Sequence, residues 1–517
     1  MRPQSFLYGA AVLFTASLFN KIVGFFYQIA IIRLIHAEGI GLFNMIYPIY
    51  VMLLVITSLG IPVSISKMVA EEVSKNDLHG AYRVFKISLT YIAVSAVLIT
   101  IFAILGAPFF LKHIFANPDV YLCFLSLIPG IIIVSVCSAF RGFFQGLQQM
   151  TPTAVTQALE QLVRVFAGLF LAKLLLPQGI PYAAMGVSLG VIFGEFVGLA
   201  SILYIYLRGR PPLPKHKKRP KPEPLLKVTR KIFSLGIPVT LTRFVSSGLM
   251  SVDAVIIPLR LQVSGLSLAE ATSYYGQFIG IAGSLLLTPA IITISLATAL
   301  IPAVSDAMAQ KRYGLVQTRT VEALRLTLLA GLPCAAVFFV LPFPICGLLF
   351  GYREAGYLLQ ILALGGPFLY LHQTTTGILH GLGRADYPFK NMLIGSLFKL
   401  TGLYYLTALP AWGIRGTALA FSVSYVVMSL LNLSDLAGLT HFKLQMGKYV
   451  IKPVLASLLM GLTMHETFRC LLSATGSEAV STSVALVVGL IGYVAFLFLL
   501  RCVEKADVDR VKELLNI

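Results

Sequence analysis

Residues 208–231 read RGRPPLPKHKKRPKPEPLLKVTRK: ten Lys or Arg, a single Glu and six Pro, set between long apolar stretches. Proline this dense opposes helix, and the charge holds the segment in water, so it reads as a solvated linker near the middle of the chain. Outward from it the composition changes character. Over all 517 residues the chain is 57% hydrophobic and 12% charged, with a mean hydropathy of +0.86, which excludes an ordinary soluble domain. Lys and Arg outnumber Asp and Glu 40 to 21. That excess alone would suit nucleic acid, but the basic residues cluster between apolar runs of about 20 residues, the length of a bilayer-crossing helix. The expected neighbours are therefore membrane lipids, with no nucleic-acid partner.

Apolar runs and their breaks predict an all-α integral membrane protein with fourteen transmembrane helices. In the first half these cover 6–34, 42–69, 84–107, 121–147, 154–176 and 182–207. After the linker they cover 232–259, 273–301, 321–343, 357–382, 388–409, 413–436, 449–468 and 480–500, with kinks expected at Pro238 and Pro289. The run beginning at Phe6 is too long for a signal-peptide core and reads as a membrane anchor. With the amino terminus placed inside, 28 of the basic residues fall on inward segments and six on outward ones. This bias predicts a multi-pass cell-membrane protein with both termini and the linker cytoplasmic.

The halves show a parallel repeat. The segment from Gly9 to Arg33 lies on that from Gly236 to Arg260 without a gap. Ile61-Pro62 with Met68 matches Ile301-Pro302 with Met308, and Gly142-Phe-Phe-Gln-Gly146 matches Gly377-Ile-Leu-His-Gly381. Three matches in one chain order predict two six-helix lobes, 1–207 and 232–438, joined by the linker 208–231. Spans 13 and 14 and a cytoplasmic tail, 439–517, are appended. Transporters commonly place substrate between such repeats.

Ionisable groups at membrane depth cost at least about 2.5 kcal/mol each, so they need a cavity, a partner or a task. Ser17, Lys21, Gly24 and Gln28 share one face of span 1. Span 5 carries Gln157, Glu160, Gln161 and Arg164, with Glu160 and Arg164 spaced for an i,i+4 ion pair. Arg243 lies in span 7 with Asp253 further along, and Gln373, Thr376 and His380 mark span 10. Lys67, Lys173, Glu195 and Lys399 complete the charged set, the three lysines placed where they could snorkel to headgroups. A structural helix-to-helix pair suits Glu160 and Arg164 as well as a ligand site does. Six bases against three acids favour an anionic substrate, since Lys and Arg are the usual partners of phosphate. Lys21, Arg164, Arg243, Gln28 and Glu160 are the candidate substrate-binding residues in a hydrated cleft. Asp253 is either a partner for Arg243 or an ion-coupling ligand.

Several chemistries are excluded or left without support. No GxxxxGK[ST] occurs, which removes ATP hydrolysis as the drive within this chain. No HExxH or GxSxG is present, and the six cysteines are scattered without CxxC, so the reading is not an enzyme, with no metal and no cofactor.

The segment HAEGIGLFNMIYPIYVMLLVITSLGIPVSISKMVAE (36–71), the opening FNKIVGFFYQ (19–28), the basic mid-chain linker and the 6+6+2 arrangement resemble the multidrug/oligosaccharidyl-lipid/polysaccharide exporter superfamily. The polysaccharide transporter branch fits better than the drug antiporters. The resemblance spans essentially the whole chain. It implies two lobes alternating between inward and outward openings. The implied cargo is an undecaprenyl-pyrophosphate-linked sugar precursor, moved outward for peptidoglycan of the cell wall or spore cortex, with cell-wall synthases as candidate partners. Lys21 falls where lipid II flippases carry a first-span arginine in R-x-x-G, here K-I-V-G; Tyr27 and Met52 replace their next two arginines. Two rival functions remain at this point: an ion-coupled small-molecule antiporter that needs Asp253, and a non-transporting membrane scaffold for wall synthesis.

Overall fold

The computed structural model describes residues 6–115, 117–209 and 223–502, and every regular element among them is helical. Residues 210–222, the heart of the basic linker, lie outside the described residues, as does the tail from 503. In chain order the first helices are α1 (Phe6–Ser58), α2 (Ile61–Ser74), α3 (Leu78–Ile114), α4 (Val120–Leu127), α5 (Pro129–Gly146), α6 (Thr151–Leu175) and α7 (Ile180–Gly209). Then come α8 (Leu225–Val263), α9 (Leu268–Gly276), a π-type stretch (Gln277–Gly283), α10 (Ser284–Leu287), α11 (Ala290–Ala309), α12 (Tyr313–Val340) and α13 (Pro342–Phe350). The last are α14 (Gly356–Gly381), α15 (Asp386–Tyr405), α16 (Gly413–Thr440), α17 (Lys452–Thr475) and α18 (Glu478–Leu499).

Local sequence explains the departures from the expected spans. LLKVTRK (225–231), at the end of the expected linker, is helical, because no proline follows Pro224 until Pro238 and the residues are mostly good helix formers. Spans 1 and 2 have no loop between them. The chain turns at His36, with φ 61° and ψ 174°, so α1 is two helices meeting at one residue. Pro129 starts α5 directly after α4, and Pro289 separates α10 from α11. Pro238 is absorbed inside α8.

Ten stretches among the described residues are long and apolar enough to cross a bilayer. One of them, Ala11–Ser74, is 64 residues and contains the His36 turn. On α3, Val94, Leu98, Ile101, Phe102 and Leu105 are 49–76% exposed, an apolar stripe that belongs in lipid.

Packing divides the chain into two compact units. The first holds the described residues to Gln262 with Leu266–Gly276; the second holds Gln277 onward with Val263–Gly265. Within the first, α8 packs on α2 and α3: the Ser64 hydroxyl donates to the Ile232 carbonyl at 2.9 Å, and Tyr91 and Thr229 share a 2.9 Å hydrogen bond. Phe85, Phe140, Phe143 and Ile65 centre its core. In the second unit Leu300, Val304, Ile378 and Leu379 form an equivalent core.

The repeat is visible inside each unit. A Cβ on Gly142 would lie 2.6 Å from the Pro62 carbonyl oxygen, and one on Gly146 would lie 2.8 Å from that of Ser66. In the second unit a Cβ on Gly377 would meet Ala297 at 2.7 Å, and one on Gly381 the Ile301 carbonyl oxygen at 2.9 Å. Both GxxxG pairs let two helix backbones touch.

Candidate functional site

The strongest polar constellation lies wholly in the first unit, on α5, α6 and α7. Arg164 and Glu160 are one turn apart on α6, and the guanidinium Nη2 donates to Glu160 Oε1 at 2.8 Å. The same Nη2 donates to Glu195 Oε1 on α7 at 2.6 Å. From α5, Arg141 Nη2 donates to the other Glu160 oxygen at 2.6 Å. Two guanidinium groups and two carboxylates thus form a chain across three helices. The four side chains are 10–19% exposed, so they border open space and are not sealed.

Glycines bring the charges together. Gly186, Gly190, Gly194 and Gly198 recur every four residues along α7, on the face toward α6. A Cβ on Gly194 would sit 2.7 Å from the Glu160 carbonyl oxygen, and one on Gly198 would sit 3.2 Å from Glu160 Oε2. Only bare backbone lets α7 lie this close and deliver Glu195 to Arg164. Tyr47 and Tyr50 from the second half of α1, and Tyr27 from its first half, stand in electrostatic contact with Arg164. The hydroxyls of Tyr27 and Tyr50 and the Nε atoms of Arg141 and Arg164 are buried without a hydrogen-bond partner among the described residues.

The other residues singled out from sequence fall as follows. Lys21 is exposed on α1, between Leu18 and Ile22, which are 37% and 49% exposed. Gln28 is half-buried two turns on, and Gly24 faces Gln161 of α6. Arg243 is exposed on α8 beside Leu241 and Phe244. Asp253 is buried on the same helix, with Tyr275 of α9 in electrostatic contact. The structure therefore joins Glu160 to Arg164 directly and leaves Lys21 and Arg243 as exposed cationic side chains on two other helices of the same unit, α1 and α8.

Three residues differ from expectation. Arg141, counted from sequence with the inward loops, is inside α5 and bonded to Glu160. Glu195 had no assigned role and holds Arg164; the four-residue glycine spacing on α7 is the signal that could have found it. Lys399 does not snorkel. It is 9% exposed, with its ammonium 4.9 Å from the centre of the Phe421 ring, because α15 turns that face toward α16.

The second unit has its own polar network. Asn391 Nδ2 donates to Asn432 Oδ1 at 2.9 Å and to Asp435 Oδ2 at 2.7 Å. Asn432 Nδ2 reaches His372 Nδ1 at 3.1 Å and the hydroxyls of Thr375 and Thr376 at 3.2 and 3.1 Å. A groove of about 460 Å³ between α11 and α12 is lined by Leu296, Leu300, Arg319 and Glu322 among others, and none of the candidate site residues lines it. Among the described residues no group of three or more His, Cys, Asp or Glu is placed to hold a metal ion.

Long apolar helices carrying a bonded charge cluster in their interior define a multi-pass membrane protein of transporter fold. The chain belongs to the polysaccharide biosynthesis protein family, whose model matches residues 6–308; a MatE model matches residues 278–405. This places it in the multidrug/oligosaccharidyl-lipid/polysaccharide exporter superfamily. It is 29% identical to stage V sporulation protein B of Bacillus subtilis (strain 168) over 519 residues, covering 99% of this chain and 98% of that protein. It is 25% identical to the lipid II flippase MurJ of the same organism, over 82% of this chain and 81% of that one. The fold is similar to that of the lipid II flippase MurJ in an inward closed conformation, with a TM-score of 0.73 and 17% identity over 95% of this chain and 99% of that one.

Proposed function

We propose that this protein carries an undecaprenyl-pyrophosphate-linked peptidoglycan precursor, for the spore cortex, outward across the cell membrane by alternating access. The observation that carries the reading is that Lys21, Arg164 and Arg243 all stand on helices of one unit, with Lys21 and Arg243 exposed on two of its long apolar stretches. Exposed cations at that depth are costly against lipid and well placed against a phosphate. Similarity over the full length to a sporulation protein, and over four-fifths of the chain to a lipid II flippase, supports the choice of cargo.

In this reading the fourteen spans are the ten long apolar stretches, the second span within Ala11–Ser74, and α6, α15 and α17. The lobes are 1–207 and 232–438 with 439–517 appended, and both termini and the linker are cytoplasmic. Lys21, Arg164 and Arg243 offset the hydration lost by the pyrophosphate, and Gln28 and Glu160 complete the polar lining. Asp253 is the ion-coupling residue. An inside-negative potential adds about 2.3 kcal/mol per outward-moving negative charge per 100 mV.

The test is reconstitution in liposomes with labelled lipid-linked precursor, scoring headgroup accessibility on the far leaflet. Lys21→Ala with Arg243→Ala is expected to lower transport at least tenfold while the protein still inserts. Full transport by a folded double variant removes both residues from the site. No transport by wild type rejects the flippase in favour of a scaffold.

A further inference from the structure

One nitrogen of Arg164 serves two carboxylates. Its Nη2 carries two hydrogens, and one goes to Glu160 at 2.8 Å while the other goes to Glu195 at 2.6 Å. The two carboxylates are not equally compensated. Glu160 also receives Arg141 on its second oxygen at 2.6 Å, whereas Glu195 shares Arg164 with Glu160 and lies within hydrogen-bonding reach of that second carboxyl. With all four groups ionised the cluster has no net charge and no surplus with which to hold a phosphate.

The groups facing Glu195 from each packed helix are Glu160 and Arg164 on α6, Arg141 and Cys137 on α5, and Tyr47 and Tyr50 on α1. One carboxylate, one guanidinium shared with it and one more distant guanidinium are the charged members. Two acids this close cannot both stay ionised without cost, and the proton goes to the less compensated one. A guanidinium fixed for structure alone would also be expected to satisfy its Nε–H, yet the buried Nε of Arg164 and of Arg141 have no acceptor among the described residues.

We propose that Glu195 is a proton-binding site that controls Arg164: a proton on Glu195 releases that half of the guanidinium and lets it take a phosphate oxygen instead. The inference rests on the transport reading above. Charge balances as follows. One proton from water converts the Glu195 carboxylate to the acid, the cluster goes from neutral to +1, and the incoming phosphate oxygen replaces Glu195 Oε1 on Arg164 Nη2. By linkage, binding the headgroup then takes up a proton, and affinity falls as pH rises, by as much as tenfold per pH unit once Glu195 is ionised in the free protein.

The experiment uses the full chain in nanodiscs with farnesyl pyrophosphate as the probe, from about pH 5 to about pH 9. Infrared difference spectra of wild type are expected to show a protonated-carboxyl band that titrates in this range. The band is absent in Glu195→Gln, returns at a shifted frequency in Glu195→Asp, and moves to lower pH in Glu160→Gln. Probe affinity falls with pH in wild type and follows only the probe's own titration in Glu195→Gln. A wild-type spectrum without such a band, or a band that survives in Glu195→Gln, overturns the proposal. A band that behaves as expected with the same pH dependence of affinity in both proteins overturns the link to Arg164. If no probe binds at any pH while the band behaves as expected, the proton site stands and the transport reading is what fails.

Discussion

Arg164 Nη2 stands 2.6 Å from Glu195 Oε1, a contact between residues 31 apart in the chain that lie on adjacent helices. It converts a local i,i+4 pair into a tie between α6 and α7, at a depth where an unpaired charge is costly. Removing either partner should therefore destabilise far more than a surface pair would. Arg164→Met, which orphans two carboxylates, is expected to cost about 3 kcal/mol, Glu195→Gln, which keeps an acceptor for Arg164, clearly less, and the double variant less than their sum. Thermal unfolding of the four proteins in one detergent measures the coupling, and strict additivity would show that the contact stores none.

The GxxxG pairs of the two units make equivalent demands. Gly142→Val and Gly377→Val each put methyl groups where a Cβ would already be 2.6 Å from the Pro62 oxygen or 2.7 Å from Ala297. Each should cost about 1–3 kcal/mol or more by overpacking, and by similar amounts if the repeat is structural as well as sequential. Unfolding midpoints compared side by side test this, and a neutral substitution at one site alone would break the equivalence.

Asn432, fully buried, is the hub of the second unit's network, bonded to Asn391, His372, Thr375 and Thr376. Asn432→Leu strands several of these polar groups at once. The expected loss is about 2–3 kcal/mol, above that of a single hydrogen bond, and Asn391→Leu added to it should restore part of the stability. Melting temperatures of the single and double variants decide the point.

At the start of α9, Ser267 and Glu270 form a reciprocal cap. The Ser267 amide and hydroxyl donate to Glu270 Oε2 at 2.9 and 2.6 Å, and the Glu270 amide donates back to the hydroxyl at 3.3 Å. The Ser267 hydroxyl, then its amide, hold the Glu270 carboxyl below its ordinary value. A depressed carboxyl contributes stability above its unfolded pKa and loses it as pH falls through the folded one. Hydrogen exchange at the amides of 269–271 should therefore lose protection on acidification in wild type, with that pH dependence flattened in Glu270→Gln.

Much of this was legible in the residues themselves. Hydropathy marked the helices because crossing length and apolar composition are properties of a local run. The Glu160–Arg164 pair was visible because four residues make one turn of one helix, and the GxxxG repeats because spacing survives in sequence. The limits appear at particular residues. Arg141 follows a long apolar run and precedes a turn, the signature of an interfacial loop base, and only the approach of α6 to α5 makes it an interior partner of Glu160. Lys399 has the spacing of a snorkelling lysine, but the rotation of α15 against α16 puts it over Phe421. Leu225 to Lys231 looked like linker because of the prolines before it, and is helix because none follows nearby.

By itself, the sequence determined a membrane-embedded helical chain with an internal repeat, an excess of cations over acids on its apolar spans and an ion pair on α6. Each of these depends on residues within a few turns of one another. Which charge meets which across helices was decided only in three dimensions. A carboxylate's compensation depends on every helix packed against it, and the glycine row of α7 sets that distance through backbone contact that no single-helix pattern encodes.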